Sequence, residues 1–255
     1  MAMLIDTHAH LNMKDYDRDR EEVIQRALDA KVGAIVNVGY DLESSIKTVD
    51  LSQRHDFLWA TVGFHPHDAD KLTDEGLDRL KELASNGKVV AIGETGLDFY
   101  RDLSPRDVQR EAFRRQIGLA RELDLPLVVH LRNSHQDGLE ILKKEGADKG
   151  ALHCFSGSLE QAREAVKLGF YLGFDGPITF NSPKLVSILK AIPRDRILLE
   201  TDCPYLTPNP YRGKRNEPSY LMFICQKAAS ELGMSYEELA ALTTGNARRL
   251  FGASL

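Results

Sequence analysis

The chain has 255 residues, 42% of them hydrophobic and 28% charged, which is enough for a substantial core and unlike a disordered composition. The formal net charge of −5 argues against a protein that wraps duplex DNA with a basic surface, but leaves room for an enzyme that takes one strand end into a local pocket. Three widely spaced cysteines, Cys154, Cys203 and Cys225, give neither a disulfide framework nor a C-x-x-C zinc pair.

One pattern runs along the chain. A short apolar run ends in Gly, His or an acid, a longer charged amphipathic stretch follows, and the next run begins. The runs are Met3–Asp6, Ala34–Val38, Leu58–Val62, Val89–Ile92, Leu127–Val129, Gly150–Leu152, Phe170–Gly173 and Ile197–Leu199. Each is nearly continuous in apolar character, as expected of a parallel strand covered on both faces. Between them, Asp17–Lys31 places Val23, Ala27 and Leu28 on one helical face. Ser104-Pro105 reads as a helix start, with a hydroxyl at the N-cap and proline at the first position. Ser158–Leu168 and Pro183–Ala191 read as helices too. A polar loop, Pro204–Pro218, follows the last run, and two or three helices complete the chain.

Strict β-α alternation implies a parallel sheet, and eight units in this length imply a closed barrel. The expectation is a single (β/α)₈ TIM barrel over residues 1–255, with its site at the C-terminal ends of the strands. No G-x-G-x-x-G follows the first strand, which weakens a doubly wound, dinucleotide-binding alternative. The first ten residues lack the basic start and apolar run of a signal peptide, and no stretch reaches the roughly 18 apolar residues of a membrane span. A cytoplasmic protein with no membrane partner is expected, as a monomer or small homo-oligomer.

All strand C-termini of such a barrel open on one face, so the residues after each strand converge. His8 and His10 form an H-x-H at the end of strand one. Glu94 follows strand four between two glycines, His130 and His153 follow strands five and six, and Asp202 ends strand eight. Singly, each has a bland reading: a polar strand end, a capping acid, a core histidine. Together they make a plausible cluster for two divalent metal ions, since imidazole and carboxylate oxygen suit such cations. Glu94 has two oxygens with which to bridge two cations. Asp202 is preferred over Glu200 as ligand and proton acceptor because it lies nearer the open face, leaving Glu200 to orient substrate or brace the barrel. His65, in Gly63-Phe64-His65-Pro66-His67, is a second candidate for the reaction, as a hydrogen-bond partner of a phosphate or leaving group. His67 reads as a loop residue, and His55 and His135 as surface residues. Arg132, Arg212, Lys214 and Arg215 are candidates for holding substrate phosphate, since Arg forks match phosphate oxygens. Tyr205 and Tyr211 could stack on a base.

These segments together resemble the TatD family of metal-dependent deoxyribonucleases, a branch of the amidohydrolase-like barrels. The matching motifs are Asp-Thr-His-Ala-His-Leu (6–11), Val-Gly-Phe-His-Pro-His (62–67), Ala-Ile-Gly-Glu-Thr-Gly-Leu-Asp (91–98), Leu-Pro-Leu-Val-Val-His-Leu-Arg (125–132), His-Cys-Phe-Ser-Gly (153–157), Leu-Glu-Thr-Asp-Cys-Pro-Tyr-Leu (199–206), Arg-Gly-Lys-Arg-Asn-Glu-Pro (212–218) and Thr-Gly-Asn-Ala-Arg-Arg-Leu-Phe (244–251). The resemblance implies that His8, His10, Glu94, His130, His153 and Asp202 are metal ligands. It places Glu94 where related amidohydrolases use a carboxylated lysine, and His65 near the substrate phosphate. It further implies a 3′-to-5′ exonuclease acting on DNA, on a 3′ end or single strand, with RNA as a second substrate. The implied ion is Mg²⁺, with Mn²⁺ or Zn²⁺ as alternatives. Two departures stand out: Asp175 in Gly-Phe-Asp-Gly-Pro (173–177), where paired glycines are common, and Asn133-Ser134, where Asp-Ala is common. Two other readings remain at this point. One is a hydrolase acting on carbon, whether an amide, ester, lactone or aminoacyl-tRNA. The other is a non-catalytic binding protein, which the intact ligand set disfavours.

Overall fold

The computed structural model describes residues 3–252 and 255. Met1, Ala2, Ala253 and Ser254, which fall within the 1–255 span expected above, lie outside the described residues. The elements follow the expected order: β1 Leu4–Ala9, α1 Arg20–Asp29, β2 Val32–Val38, α2 Leu42–Arg54, β3 Leu58–Val62, α3 Asp74–Ala84, β4 Val89–Asp98, α4 Arg106–Glu122, β5 Leu127–Arg132, α5 His135–Lys144, β6 Gly150–Leu152, α6 Leu159–Lys167, β7 Tyr171–Phe174, α7 Pro183–Ala191, β8 Ile197–Leu199, α8 Leu221–Leu232 and α9 Tyr236–Phe251.

The strands form one parallel sheet in sequence order, β1 to β8. The sheet closes on itself where Ala9 bridges Cys203. There Asp202 N–H donates to His8 O at 2.8 Å, and His10 N–H donates to Cys203 O at 2.9 Å. The closing bonds therefore join the two segments that carry His8, His10 and Asp202. The fold is a (β/α)₈ barrel.

Strand alternation sorts the apolar side chains into two layers. Leu4, Ile35, Leu58, Ile92, Leu127 and Leu199 pack outward against the helices. Ile5, Val36, Val90, Val128, Tyr171 and Leu198 fill the interior, where Ala247, Leu250 and Phe251 of α9 join them. The last helix thus plugs the end of the barrel opposite the polar mouth. Its Asn246 donates to Ile197 O and Arg194 O, and its Thr244 hydroxyl donates to Met3 O.

The helix starts follow their side chains. Asp41 with Ser44, Ser158 with Gln161 and Ser235 with Glu238 each form a reciprocal capping box at α2, α6 and α9. The Ser104-Pro105 start differs from expectation. Pro105 is itself the cap and α4 begins at Arg106. The Ser104 hydroxyl is spent elsewhere, donating to His67 O at 2.9 Å and lying 3.1 Å from Asp70 Oδ1.

Asn37 shows how a strand interior supports the mouth. It is fully buried on β2. Its Oδ1 accepts the Leu11 N–H at 2.7 Å and its Nδ2 donates to Thr48 Oγ1 at 3.1 Å. It therefore ties the segment after His10 to α2. Asn37→Ala leaves a buried N–H unsatisfied and is expected to cost about 1–3 kcal/mol, read as a lower urea midpoint with an unchanged slope. An unchanged midpoint would show that the Leu11 amide finds another partner.

Candidate metal centre

The strand ends bear the polar residues because β1, β4 and β5 run farther than their apolar runs. β1 continues through His8 to Ala9, β4 through Glu94 to Asp98, and β5 through His130 to Arg132. Simple alternation from Ile5, which faces the interior, would turn His8 outward. The ladder shifts register between Asp6 and Ala9, and again between Ile92 and Thr95. Such irregularities re-aim side chains. They fall on the two segments that supply His8, His10 and Glu94. Gly93 and Gly96 flank Glu94 with φ of +149° and +138°, and a Cβ at either would meet a β5 carbonyl, Val128 O at 2.4 Å or His130 O at 2.1 Å. The glycines let the Glu94 segment lie directly on β5.

The structure brings all six expected ligands together. On one side, His8 Nε2 lies 3.2 Å from His10 Nε2 and 3.4 Å from Glu94 Oε2. His10 Nε2 is 3.7 Å from Glu94 Oε2, and Asp202 Oδ1 lies 3.7 Å from His8 Nε2 and 3.5 Å from His10 Nε2. A tetrahedral cation with bonds of about 2.1 Å sets its ligands about 3.4 Å apart, and the separations of the two imidazole nitrogens from each other and from each carboxylate oxygen, 3.2–3.7 Å, match that spacing. On the other side, Glu94 Oε1 lies 2.8 Å from His153 Nε2 and 3.0 Å from His130 Nδ1, and those nitrogens are 3.0 Å apart. The two oxygens of one carboxylate thus face two separate sets of nitrogens. His8 Nδ1 and His153 Nδ1 are buried without hydrogen-bond partners among the described residues, which leaves the faces of these rings toward Glu94 as their polar anchorage.

The neighbouring groups fix the rings. His10 Nδ1 lies 3.2 Å from Val38 O, which places the proton there and turns the Nε2 lone pair toward the cluster. Asp98 Oδ2 lies 3.3 Å from His130 Nε2 and 2.8 Å from His67 Nε2. His67, expected as a loop residue, is therefore joined to the cluster through Asp98. Asp98 received no role from the sequence, although it ends strand four at an even spacing from Glu94. Glu200 is buried behind the site. Its Oε1 accepts the Cys154 N–H at 2.5 Å and its Oε2 accepts from Thr7 Oγ1 at 3.3 Å, so it braces the barrel. Asp6 does the same for β8, accepting Thr201 N–H at 2.9 Å and Thr201 Oγ1 at 2.6 Å.

The proton affinities follow from this crowding. Burial opposes the charge on Glu94, but His153, His65 and His8 outweigh it and hold its carboxyl well below the usual range. Burial also opposes the charge on Asp202, and the His10 hydrogen bond outweighs it, again lowering the pKa. Burial and nearby His153 push His8 down to about 4, leaving a neutral imidazole able to ligate. His130 goes the other way: despite burial, Asp98 and Glu94 raise it to about 9, so a proton competes with a cation for this nitrogen. Burial drives His65 well below its ordinary value. Its Nδ1 accepts the His67 N–H at 3.1 Å, so the neutral ring carries its proton on Nε2, 3.6 Å from Glu94 Oε1.

The expected phosphate contacts separate. Arg132 lies over the exposed Tyr100 ring at 4.0 Å and lines a groove of ≈ 630 Å³ with Tyr100, Ser134, Ser156 and Lys184. Arg212 lies over Phe180 at 4.4 Å. Arg215 is committed elsewhere: it donates to both oxygens of Asp19, at 2.6 and 2.8 Å, and to Asp15 O. Tyr211 stacks on Tyr220 with centroids 4.5 Å apart, whereas Tyr205 is half exposed, 6.4 Å from the His10 ring. His135, expected at the surface, is buried against Phe155, and His55 is half-buried near Glu21.

A barrel with histidines and carboxylates crowded at its mouth is the framework of a metal-dependent hydrolase, and the comparisons agree. The family model described as "TatD related DNase" matches residues 5–252, and the chain belongs to that family. It is 52% identical over 252 residues to the "Uncharacterized metal-dependent hydrolase YabD" of Bacillus subtilis, covering 98% of this chain and 99% of that one. It is 40% identical to the "3'-5' ssDNA/RNA exonuclease TatD" of Cronobacter sakazakii, covering 97% of each. Among solved structures, the TatD homologue YJJV of Escherichia coli superposes with a TM-score of 0.92 at 32% identity, covering 97% of each chain. The protein is therefore a metal-dependent hydrolase.

Because Asp98 orients His130 from behind, Asp98→Asn is expected to lower divalent-cation affinity about 10–100-fold, measured by competition with a chelating dye. An affinity equal to wild type would remove Asp98 from the support of the site.

Proposed function

We propose that the chain is a 3′-to-5′ exonuclease that removes nucleotides from single-stranded DNA, and from RNA, with two divalent cations, Mg²⁺ in function. The observation that carries the reading is the division of labour at Glu94, whose two oxygens face separate sets of ligand atoms. His8, His10, Asp202 and Glu94 Oε2 would hold one cation, and Glu94 Oε1, His130 and His153 the other. Bound there, the pair would supply Lewis acidity at the scissile phosphate. The relative from Cronobacter sakazakii, named as an exonuclease on single-stranded DNA and RNA, supports this choice of substrate.

The residues of the chain divide the remaining work. Asp202 stays ionised and is the more accessible carboxylate, so it accepts the proton of the attacking water as that water adds to phosphorus and the bond to the 3′ oxygen breaks. His65 donates from Nε2 to a phosphate oxygen. Arg132 and Lys184 neutralise backbone phosphates along the groove, and the exposed rings of Tyr100 and Tyr205 offer stacking surfaces for bases. Arg215 anchors the loop after β8 through Asp19 and is left out of this contact set. Among the described residues no helix is long and apolar enough to cross a membrane. The three cysteines are unpaired, in keeping with our placement of the enzyme in the cytoplasm.

A 5′-labelled single-stranded oligonucleotide with a free 3′ end tests the reading. With Mg²⁺ or Mn²⁺ the wild type is expected to produce a ladder that shortens from the 3′ end, and EDTA to abolish it. Glu94→Ala should eliminate turnover, and Asp202→Asn should lower kcat about 10²–10⁴-fold. Folded, cation-loaded wild type that leaves the oligonucleotide intact would overturn the nuclease assignment and turn attention to ester, lactone and aminoacyl-tRNA substrates.

A further inference from the structure

A second convergence of donors lies beside the histidine cluster. Cys154 follows β6, Asp175 follows β7 and Asp202 follows β8. The Cys154 thiol sulfur and one carboxylate oxygen from each aspartate all lie within 4.8 Å of one another. Asp175 is only 4% exposed, and its Oδ2 is buried with no hydrogen-bond partner among the described residues. The Glu200 carboxylate takes the Cys154 amide, the Cys154 thiol is the side-chain hydrogen-bond partner of Asp175, and no Lys or Arg pairs with Asp175 among the described residues. A carboxylate oxygen withdrawn from water and left without a partner is costly unless a cation or a proton meets it.

The donor chemistry differs from that of the histidine cluster. A thiolate with two carboxylates suits a borderline-soft divalent cation of the Zn²⁺ or Co²⁺ type, whereas Mg²⁺ prefers oxygen alone. We propose that Cys154, Asp175 and Asp202 form a third divalent-cation site, selective for Zn²⁺-type ions and separate from the two sites that share Glu94. On binding, the Cys154 S–H bond breaks, its proton leaves to solvent, and sulfur, Asp175 and Asp202 take up the cation. Three protein donors leave a position open to solvent. Asp202 is common to this site and the proposed nuclease cluster, so an ion here touches the proton acceptor of that reaction.

Cobalt reports on the site directly, because thiolate ligation gives a sulfur-to-metal charge-transfer band in the near ultraviolet that imidazole and carboxylate ligands do not give. Chelator-stripped protein titrated with Co²⁺ is expected to develop that band. Cys154→Ser and Asp175→Asn should each lose it, together with one bound Co²⁺ per chain. Glu94→Ala, which dismantles the histidine cluster, should keep it. That variant separates this proposal from the nuclease reading. Should the Cys154 or Asp175 variants fail to fold, wild-type protein answers alone: Zn²⁺ at about ten times its Kd should slow alkylation of Cys154 about tenfold, with EDTA restoring the rate. Cys203 and Cys225 are fully buried and are not the thiols sampled. A Co²⁺-saturated wild type without the band, a band that survives Cys154→Ser, or an alkylation rate indifferent to Zn²⁺ would overturn the third site.

Discussion

A single buried carboxylate organises the mouth of this barrel. Glu94 is 3% exposed and ionised, and a charge so far from water must be compensated locally. Five imidazoles, those of His8, His10, His65, His130 and His153, surround it at 2.8–3.7 Å. Such a gathering of titratable groups would be destabilising in an ordinary core. It persists because the donors are carried by several strands and the segments directly after them, held in place by outer-layer packing and by polar braces behind: Asp6 on Thr201, Glu200 on Cys154, Asn37 on Leu11.

The rest of the fold serves that arrangement. Parallel strands bring residues distant in sequence to one rim, and the rim is held together where β1 meets β8. The lower end is closed by apolar residues of α9, which keeps the interior dry beneath the polar layer. Asp98 links His130 to His67 and extends the network outward. The overall negative charge is then compatible with the anionic substrate proposed above. Positive charge is local, in Arg132 and Lys184 along one groove, and the cations of the site would supply the remainder.

Much of this was legible in the sequence, for a physical reason. Parallel strands buried on both faces appear as short apolar runs, and Leu58–Val62, Gly150–Leu152 and Ile197–Leu199 fall where the structure has them. The candidate ligand positions followed from the rule that strand C-termini share a face, together with the motif resemblance. What escaped notice lay where hydrophobicity no longer tracks structure. β1, β4 and β5 continue past their apolar runs because polar side chains at the mouth still extend the ladder. The register shifts that turn His8 inward leave no compositional trace. Asp98 was given no role and His67 read as a loop residue because their partnership spans 31 positions. Arg215 read as a phosphate ligand because its pairing with Asp19 is equally remote. His135 read as a surface residue because a helix start is usually exposed, whereas here the ring tucks under Phe155.

The central claim is that Glu94 joins two cation sites, and anomalous diffraction from crystals soaked in Mn²⁺ tests it most directly. The account predicts two anomalous peaks flanking the Glu94 carboxylate, one against His8, His10 and Asp202 and the other against His130 and His153. A single peak, or peaks that Glu94 does not contact, would contradict it.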